Sequence, residues 1–532
     1  MIVGMRPLLT AAGLALSLGT AAAQAVSPAG RCSGIASVKL TDAGVTAATL
    51  VPGGAAVAGV RLPPALAAKM PAFCRVQVID RPSADSEIRI ELWLPAAGWN
   101  GRFRGTGNGG FAGEIYFGEM AAALAEGYAV AGTDTGHVGG EATFALGQPE
   151  KVKDFGWRAI HDMTVESKTL LAAFYGKPAA KAYFAGCSDG GREALMEAER
   201  FPADYDGILA GAPAYNWTGL VSGGAAQMQA LLATPASVLP YTKIPALAAA
   251  VNAACDARDG VRDGVINDPR QCGFDPATLV CKDGDAQDCL TPAQAATVKR
   301  IYAGVRDSSG NEVIPGLLPG GEGGANGWAA WVTGTPQKAS LGVFFAVGFF
   351  ANFIEQQPGW TLRQFHLDRD LKLAREKTAA DLDARDANLK PFTGHGGKLI
   401  LYHGWNDPAI PARGTVEYFE NVRQALGSEA AAEAVRLYMV PGMQHCGGGP
   451  GATEFGETAA AGRGDTDHDV FTALEQWVEA GEAPGSITAV HYSEEKSRHG
   501  EEFSRPLCPY PAAAKYIKGD PADAKSFACV QP

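Results

Sequence analysis

Short apolar runs alternate with amphipathic stretches along most of the chain. Residues 88–94, 102–106, 128–132, 182–185, 398–403 and 435–440 read as strands bounded by turn formers. Helical periodicity falls near residues 157–175 and 469–479. Such alternation predicts an α/β fold on a mostly parallel sheet. The pattern breaks between residues 215 and 389, which hold a Gly- and Pro-rich stretch at 315–327 and a charged, helix-like run at 367–389. The densest apolar stretch, 341–354, is shorter than the roughly 18–20 residues that span a bilayer. It is expected in a core or a pocket wall.

One motif turns this pattern into chemistry. Gly186-Cys187-Ser188-Asp189-Gly190 lies between the apolar run at 182–185 and a helix-like segment at 192–198. A serine between two glycines at a strand-to-helix turn is the nucleophile elbow of α/β-hydrolases, where a side chain at either glycine would meet neighbouring backbone. Serine is a weak nucleophile unless a base takes its proton and a carboxylate orients that base. In this fold the acid and then the histidine follow the serine along the chain. Asp407 stands just past the run at 398–403, and His445 follows the run at 435–440 and the turn Pro441-Gly442-Met443-Gln444. Ser188, Asp407 and His445 are therefore the expected catalytic residues, with His403 as a structural neighbour. The oxyanion hole needs two backbone N–H groups. Asp189 supplies one by position, and the glycine-rich stretch at 102–113 is expected to supply the other, with Gly109 and Gly110 both candidates.

Composition narrows the setting. A net charge of −12 and the lack of a basic run argue against a nucleic-acid partner. Arg6, the apolar residues after it and the small residues ending at Ala25 form a secretory signal over residues 1–25, with cleavage after Ala25 or after Ala23. A secreted or periplasmic chain matures where disulfides persist. Ten cysteines follow the signal, and sequence alone does not decide their pairing. Proximity suggests Cys255–Cys272, Cys281–Cys289 and Cys508–Cys529, with Cys32–Cys74 tying down the mature N-terminus. Cys187 and Cys446 remain, beside the candidate nucleophile and base. A bond between them would join the two catalytic segments covalently.

These features resemble the tannase and feruloyl esterase family, which includes mono(2-hydroxyethyl) terephthalate hydrolases. The resemblance is carried by Cys187-Ser188, by Asp407 in His403-Gly404-Trp405-Asn406-Asp407-Pro408, and by His445-Cys446. It implies an α/β-hydrolase core (26–214 and 390–532) with a large lid inserted at 215–389, and it supports the five cysteine pairs. It bears also on the stretch from Cys255 to Asp268. Read alone, aspartates and glycines in a bridged loop suggest a hard cation held by oxygens, although the spacing is not that of an EF-hand. The resemblance implies structural Ca2+ held by carboxylates of Asp256, Asp259 and Asp263 and by carbonyls of Val261 and Val265.

The insertion concentrates Trp328, Trp331, Phe344, Phe345, Phe349, Phe350 and Phe353. Aromatic walls suit a flat phenolic acyl group, although most of these rings are expected in the lid core. The expected substrate is an ester of a hydroxycinnamate or gallate type, possibly attached to plant polysaccharide or polyphenol. A terephthalate monoester is the alternative, and it needs a cation that the run at 341–354 does not offer; Arg363 lies nearby in sequence. Two other classes stand beside these: a noncatalytic secreted binding protein on a hydrolase fold, and a peptidase or lipase on the same scaffold.

Overall fold

The computed structural model describes residues 1, 2, 4, 27–458, 464–492 and 500–531. The apolar part of the N-terminal signal and both cleavage candidates lie outside these residues.

Nine strands form one large sheet: β1 Ala43–Val51, β2 Phe73–Asp80, β3 Ile88–Pro95, β4 Arg102–Thr106, β5 Ala129–Thr133, β6 Lys181–Cys187, β7 Gly207–Gly211, β8 Lys398–Gly404 and β9 Val435–Val440. Their order is β1-β2-β3-β5-β4-β6-β7-β8-β9. From β5 to β9 the neighbours run parallel, whereas β1, β2, β3 and β5 pair antiparallel. The central strands are buried on both faces; every residue of β5 and of β7 is buried. That is why they read as short continuous apolar runs instead of alternating ones. All six predicted strands are present within two residues of their expected ends. β1, β2 and β7 were not expected: β1 is rich in Ala and Thr, and β7 is five residues with glycine at both ends.

Helices cover the sheet. α1 (Ala159–Tyr175) and α2 (Asp189–Arg200) flank its centre, and α2 starts directly at Ser188. Residues 212–397 add no strand to this sheet; the strands Val305–Arg306 and Glu312–Ile314 pair only with each other. This stretch includes α3 (Trp217–Leu231), α4 (Leu341–Phe349) and α5 (Leu367–Leu382). Trp217, Trp328, Phe349, Phe350 and Phe353 pack there in one apolar cluster. The charged run expected to 389 ends as helix at Leu382. Asp383 is drawn away to accept the N–H and hydroxyl of Thr218 at the start of α3, and the Ala384 N–H bonds Tyr215 C=O.

Five disulfides are present: Cys32–Cys74, Cys187–Cys446, Cys255–Cys272, Cys281–Cys289 and Cys508–Cys529. Among the described residues no helix is long and apolar enough to cross a membrane.

Candidate active site

The ends of β6, β8 and β9 lie at one edge of the sheet, where loops after parallel strands gather ligands. Ser188 follows β6 with φ 65 and ψ −118, a strained backbone for a residue with a Cβ. The flanking glycines are required by contact. A Cβ on Gly186 would lie 2.5 Å from the Gly190 carbonyl oxygen, and one on Gly190 would lie 2.7 Å from that of Asn108.

The three expected residues form one hydrogen-bonded chain. Ser188 Oγ lies 2.9 Å from His445 Nε2, and His445 Nδ1 lies 2.8 Å from Asp407 Oδ2. Asp407 is 3% exposed, and its Oδ1 accepts the N–H groups of Ala409 and Ile410. Burial opposes its ionisation, but His445 and His403 outweigh that and hold its carboxyl well below the usual carboxylate range. His403 is fully buried; its Nε2 approaches both Asp407 Oδ2 and the Ile410 carbonyl, and its Nδ1 lies 2.7 Å from Thr415 Oγ1. Since the carbonyl can only accept, Nε2 carries a proton. The disulfide Cys187–Cys446 stands beside this chain with its Cα atoms 5.9 Å apart. Such an arrangement can pass a proton from hydroxyl to imidazole while keeping the imidazole oriented.

Asp189 begins α2, and its carboxylate is buried against the Arg192 guanidinium at 2.6 Å. Gly110 shares the wall of two hollows with Ser188 and His445, and Gly109 lines one of them.

The first hollow, about 90 Å³, is lined by Trp217, Val221, Met228, Ile314, Trp331 and Phe345 among others. None of its described lining residues is a lysine or arginine. Arg363 is exposed elsewhere, on a short turn at Leu362–Gln364. Of the aromatics clustered between Trp328 and Phe353, Trp331 and Phe345 face this hollow, while Trp328, Phe349, Phe350 and Phe353 are buried. The Trp331 ring sits edge-on to the His445 ring at 4.9 Å. A second hollow of about 370 Å³ also reaches Ser188 and includes Arg104, Tyr116, Glu119, Tyr402 and Glu457. Sequence reasoning missed these polar residues, because each belongs to a different element and no motif links them.

Residues 74–530 match the tannase and feruloyl esterase family. The chain belongs to this family. It is 38% identical to an uncharacterised esterase of Xanthomonas campestris, over 99% of this chain and 95% of that one. It is 35% identical to the mono(2-hydroxyethyl) terephthalate hydrolase of Piscinibacter sakaiensis, over 88% and 86% of the two chains. The crystal structure of feruloyl esterase B from Aspergillus oryzae superposes with a TM-score of 0.85 at 30% identity, covering 95% of this chain and all of that one. The fold is that of an α/β-hydrolase, and the protein is a carboxylic ester hydrolase of the tannase and feruloyl esterase type.

The acidic loop lines neither hollow at Ser188; its Val265 lies against Gly442, in the turn before His445. Asp256 Oδ1 accepts the N–H groups of Asp263 and Gly264, Asp259 Oδ1 that of Val261, and Asp263 Oδ1 that of Val265. Asp263 also pairs with Arg505. The three carboxylates do not all bring oxygens within 4.8 Å of one another. Burial, then Asp263 and Asp256, push the Asp259 carboxyl up to about 6. The mutual repulsion of these carboxylates at Asp259 is what a hard cation would relieve.

Proposed function

We propose that the protein is a secreted serine esterase that hydrolyses esters of aromatic acids, of the hydroxycinnamate or gallate type, through an acyl-enzyme. Ser188 attacks the ester carbonyl while His445 takes its proton and returns it to the departing alcohol. Asp407 keeps the imidazole tautomer and stabilises the imidazolium. The N–H groups of Asp189 and of Gly109 or Gly110 meet the oxygen that becomes negative. Water, activated by His445, then releases the acid. The observation that carries this reading is the hydrogen-bonded chain Ser188–His445–Asp407 opening onto an apolar hollow walled by Trp331 and Phe345.

In this reading residues 215–389 act as the lid and 26–214 with 390–532 as the catalytic core. Residues 1–25 act as the export signal. The alcohol half of the substrate is a plant polysaccharide or polyphenol. Asp256, Asp259, Asp263 and the carbonyls of Val261 and Val265 would hold Ca2+, which would supply charge neutralisation and fix the loop bridged by Cys255–Cys272.

Terephthalate monoester hydrolysis is the second reading, favoured by the likeness to the Piscinibacter hydrolase. A free carboxylate on the acyl group requires a cation, and the apolar hollow supplies none among its described lining residues. Steady-state kcat/KM for methyl ferulate, methyl gallate and mono(2-hydroxyethyl) terephthalate tests the order, with Ser188→Ala as control. The two phenolic esters are expected to lead, and a clear preference for the terephthalate ester would reverse the assignment.

A further inference from the structure

Asn108 sits in the loop that leaves β4 and carries Gly109 and Gly110. Its peptide groups are fastened to the helix that follows the nucleophile. The Asn108 N–H donates to Oε2 of Glu193 at 2.8 Å, and its C=O accepts the Gly190 N–H at 2.8 Å. Its side-chain amide turns elsewhere and donates to the carbonyls of Glu114 and Thr133. The approach is tight. A Cβ on Gly107 would lie 2.8 Å from Gly190 Cα and 3.0 Å from Glu193 Oε2. The position of the loop therefore follows the position of Glu193.

Glu193 is 1% exposed, and its Oε1 has no hydrogen-bond partner among the described residues. The nearest cation is committed elsewhere: Arg192 donates to Asp189 and to the carbonyls of Gly156 and Phe155. Burial, then the neighbouring Asp189 carboxylate, push the Glu193 carboxyl up to about 8. A buried carboxyl with one oxygen unsatisfied is costly to keep. Its bond to Asn108 gives it a use.

We propose that Glu193 is a positioning residue for ester hydrolysis: by accepting the Asn108 N–H it fixes the loop whose Gly109 or Gly110 N–H meets the oxygen that becomes negative when Ser188 attacks the carbonyl carbon. The inference rests on the reading of Ser188 and its oxyanion hole given above. A displacement of about 1 Å at such donors costs on the order of 100-fold in rate.

Two substitutions separate the hydrogen bond from packing. Glu193→Gln keeps the acceptor oxygen at nearly the same size, so kcat at pH 7 should stay within about twofold of the parent. Glu193→Leu removes the acceptor and should lower kcat about 10- to 100-fold with KM within about twofold. Glu193→Met, a flexible apolar replacement, serves the same purpose if the leucine variant does not fold. Affinity for a boronic-acid analogue of the aromatic acid, whose tetrahedral adduct places an oxygen in the same hole, should fall in parallel with kcat. Equal losses in the Gln and apolar variants, a change confined to KM, or an unchanged kcat in the apolar variants would overturn the proposal. Ser188→Ala runs alongside. If it retains turnover, the nucleophile assignment has failed and this inference with it; if it is inactive while the Glu193 series is flat, only this inference fails.

Discussion

His403 and His445 bond the same carboxylate oxygen of Asp407, at 3.1 and 2.8 Å. One imidazole faces the serine and the other faces Thr415 in the core, so the carboxylate is fixed from both sides. Its other oxygen takes two backbone N–H groups. Because the folded state holds this carboxyl well below its ordinary value, its stabilising contribution is present above the usual carboxylate range. That contribution is lost only as pH falls through the depressed folded value.

Two consequences follow for activity. Asp407→Asn should leave the fold in place and lower kcat about 10⁴-fold, because the amide favours the wrong imidazole tautomer. In the parent, the kcat profile should show no step near pH 4, where an ordinary aspartate titrates at about 3.9. A step there, removed by Asp407→Asn in residual-rate measurements, would mean that the carboxylate is not held as the hydrogen bonds indicate.

The bridge between Cys187 and Cys446 spans 259 residues of sequence. Loop-closure entropy gives such a bond on the order of 5 kcal/mol, against roughly 2–3 kcal/mol for a short loop such as Cys281–Cys289. Replacing both Cys187 and Cys446 by alanine should therefore lower the urea midpoint more than the corresponding Cys281/Cys289 pair does. It should also lower kcat about tenfold or more, since Ser188 and His445 lose their covalent tether. If kcat is unchanged in folded protein, the bridge serves stability alone.

The residues that form the hydrogen-bonded chain were legible because each lies within a few positions of the end of an apolar run, and strand ends in a parallel sheet converge. The disulfides followed from proximity and family likeness. The pocket was not legible to the same degree. Residues 341–354 are apolar on all sides, so periodicity does not tell Phe345, which faces the hollow, from Phe349, Phe350 and Phe353, which fill the core. The contact between Asn108 and Glu193 spans 85 residues and joins a loop to a helix, so no local pattern announces it. Arg104, Glu119 and Glu457 were hidden for the same reason: they come together only when β4, the helix Phe117–Ala125 and the loop after Phe455 are assembled.

The apolar hollow offers a direct test of acyl-group choice. Gly224 lies on α3 in the wall of this hollow, and a Cβ added there meets nothing within 4 Å. Gly224→Arg should place a guanidinium near the acyl group without displacing backbone. A charge-assisted hydrogen bond to a carboxylate contributes about 1.5–3 kcal/mol, or about tenfold or more in relative kcat/KM. The ratio of terephthalate monoester to methyl ferulate turnover should rise by that factor. A fall in both rates with no change in ratio would show that the acyl group binds elsewhere.

The acidic loop predicts a pH-dependent response to cation removal. The folded-state carboxyl of Asp259 is raised to about 6 by burial and by Asp263 and Asp256, so ionising it costs stability. For an acid raised in this way, the favourable contribution is present below the unfolded value of about 3.9 and is lost as pH rises through about 6. After treatment with a chelator, Tm should therefore decline between about pH 4 and pH 7. Added Ca2+ should remove that decline and raise Tm at pH 7 in proportion to the logarithm of its concentration. Asp259→Asn should flatten the metal-free profile and weaken the calcium response together, while kcat at 25 °C stays near the parent because none of the three carboxylates lines a hollow at Ser188. A Tm indifferent to chelator and Ca2+ across this range would leave the loop held by its backbone hydrogen bonds and by Arg505 alone.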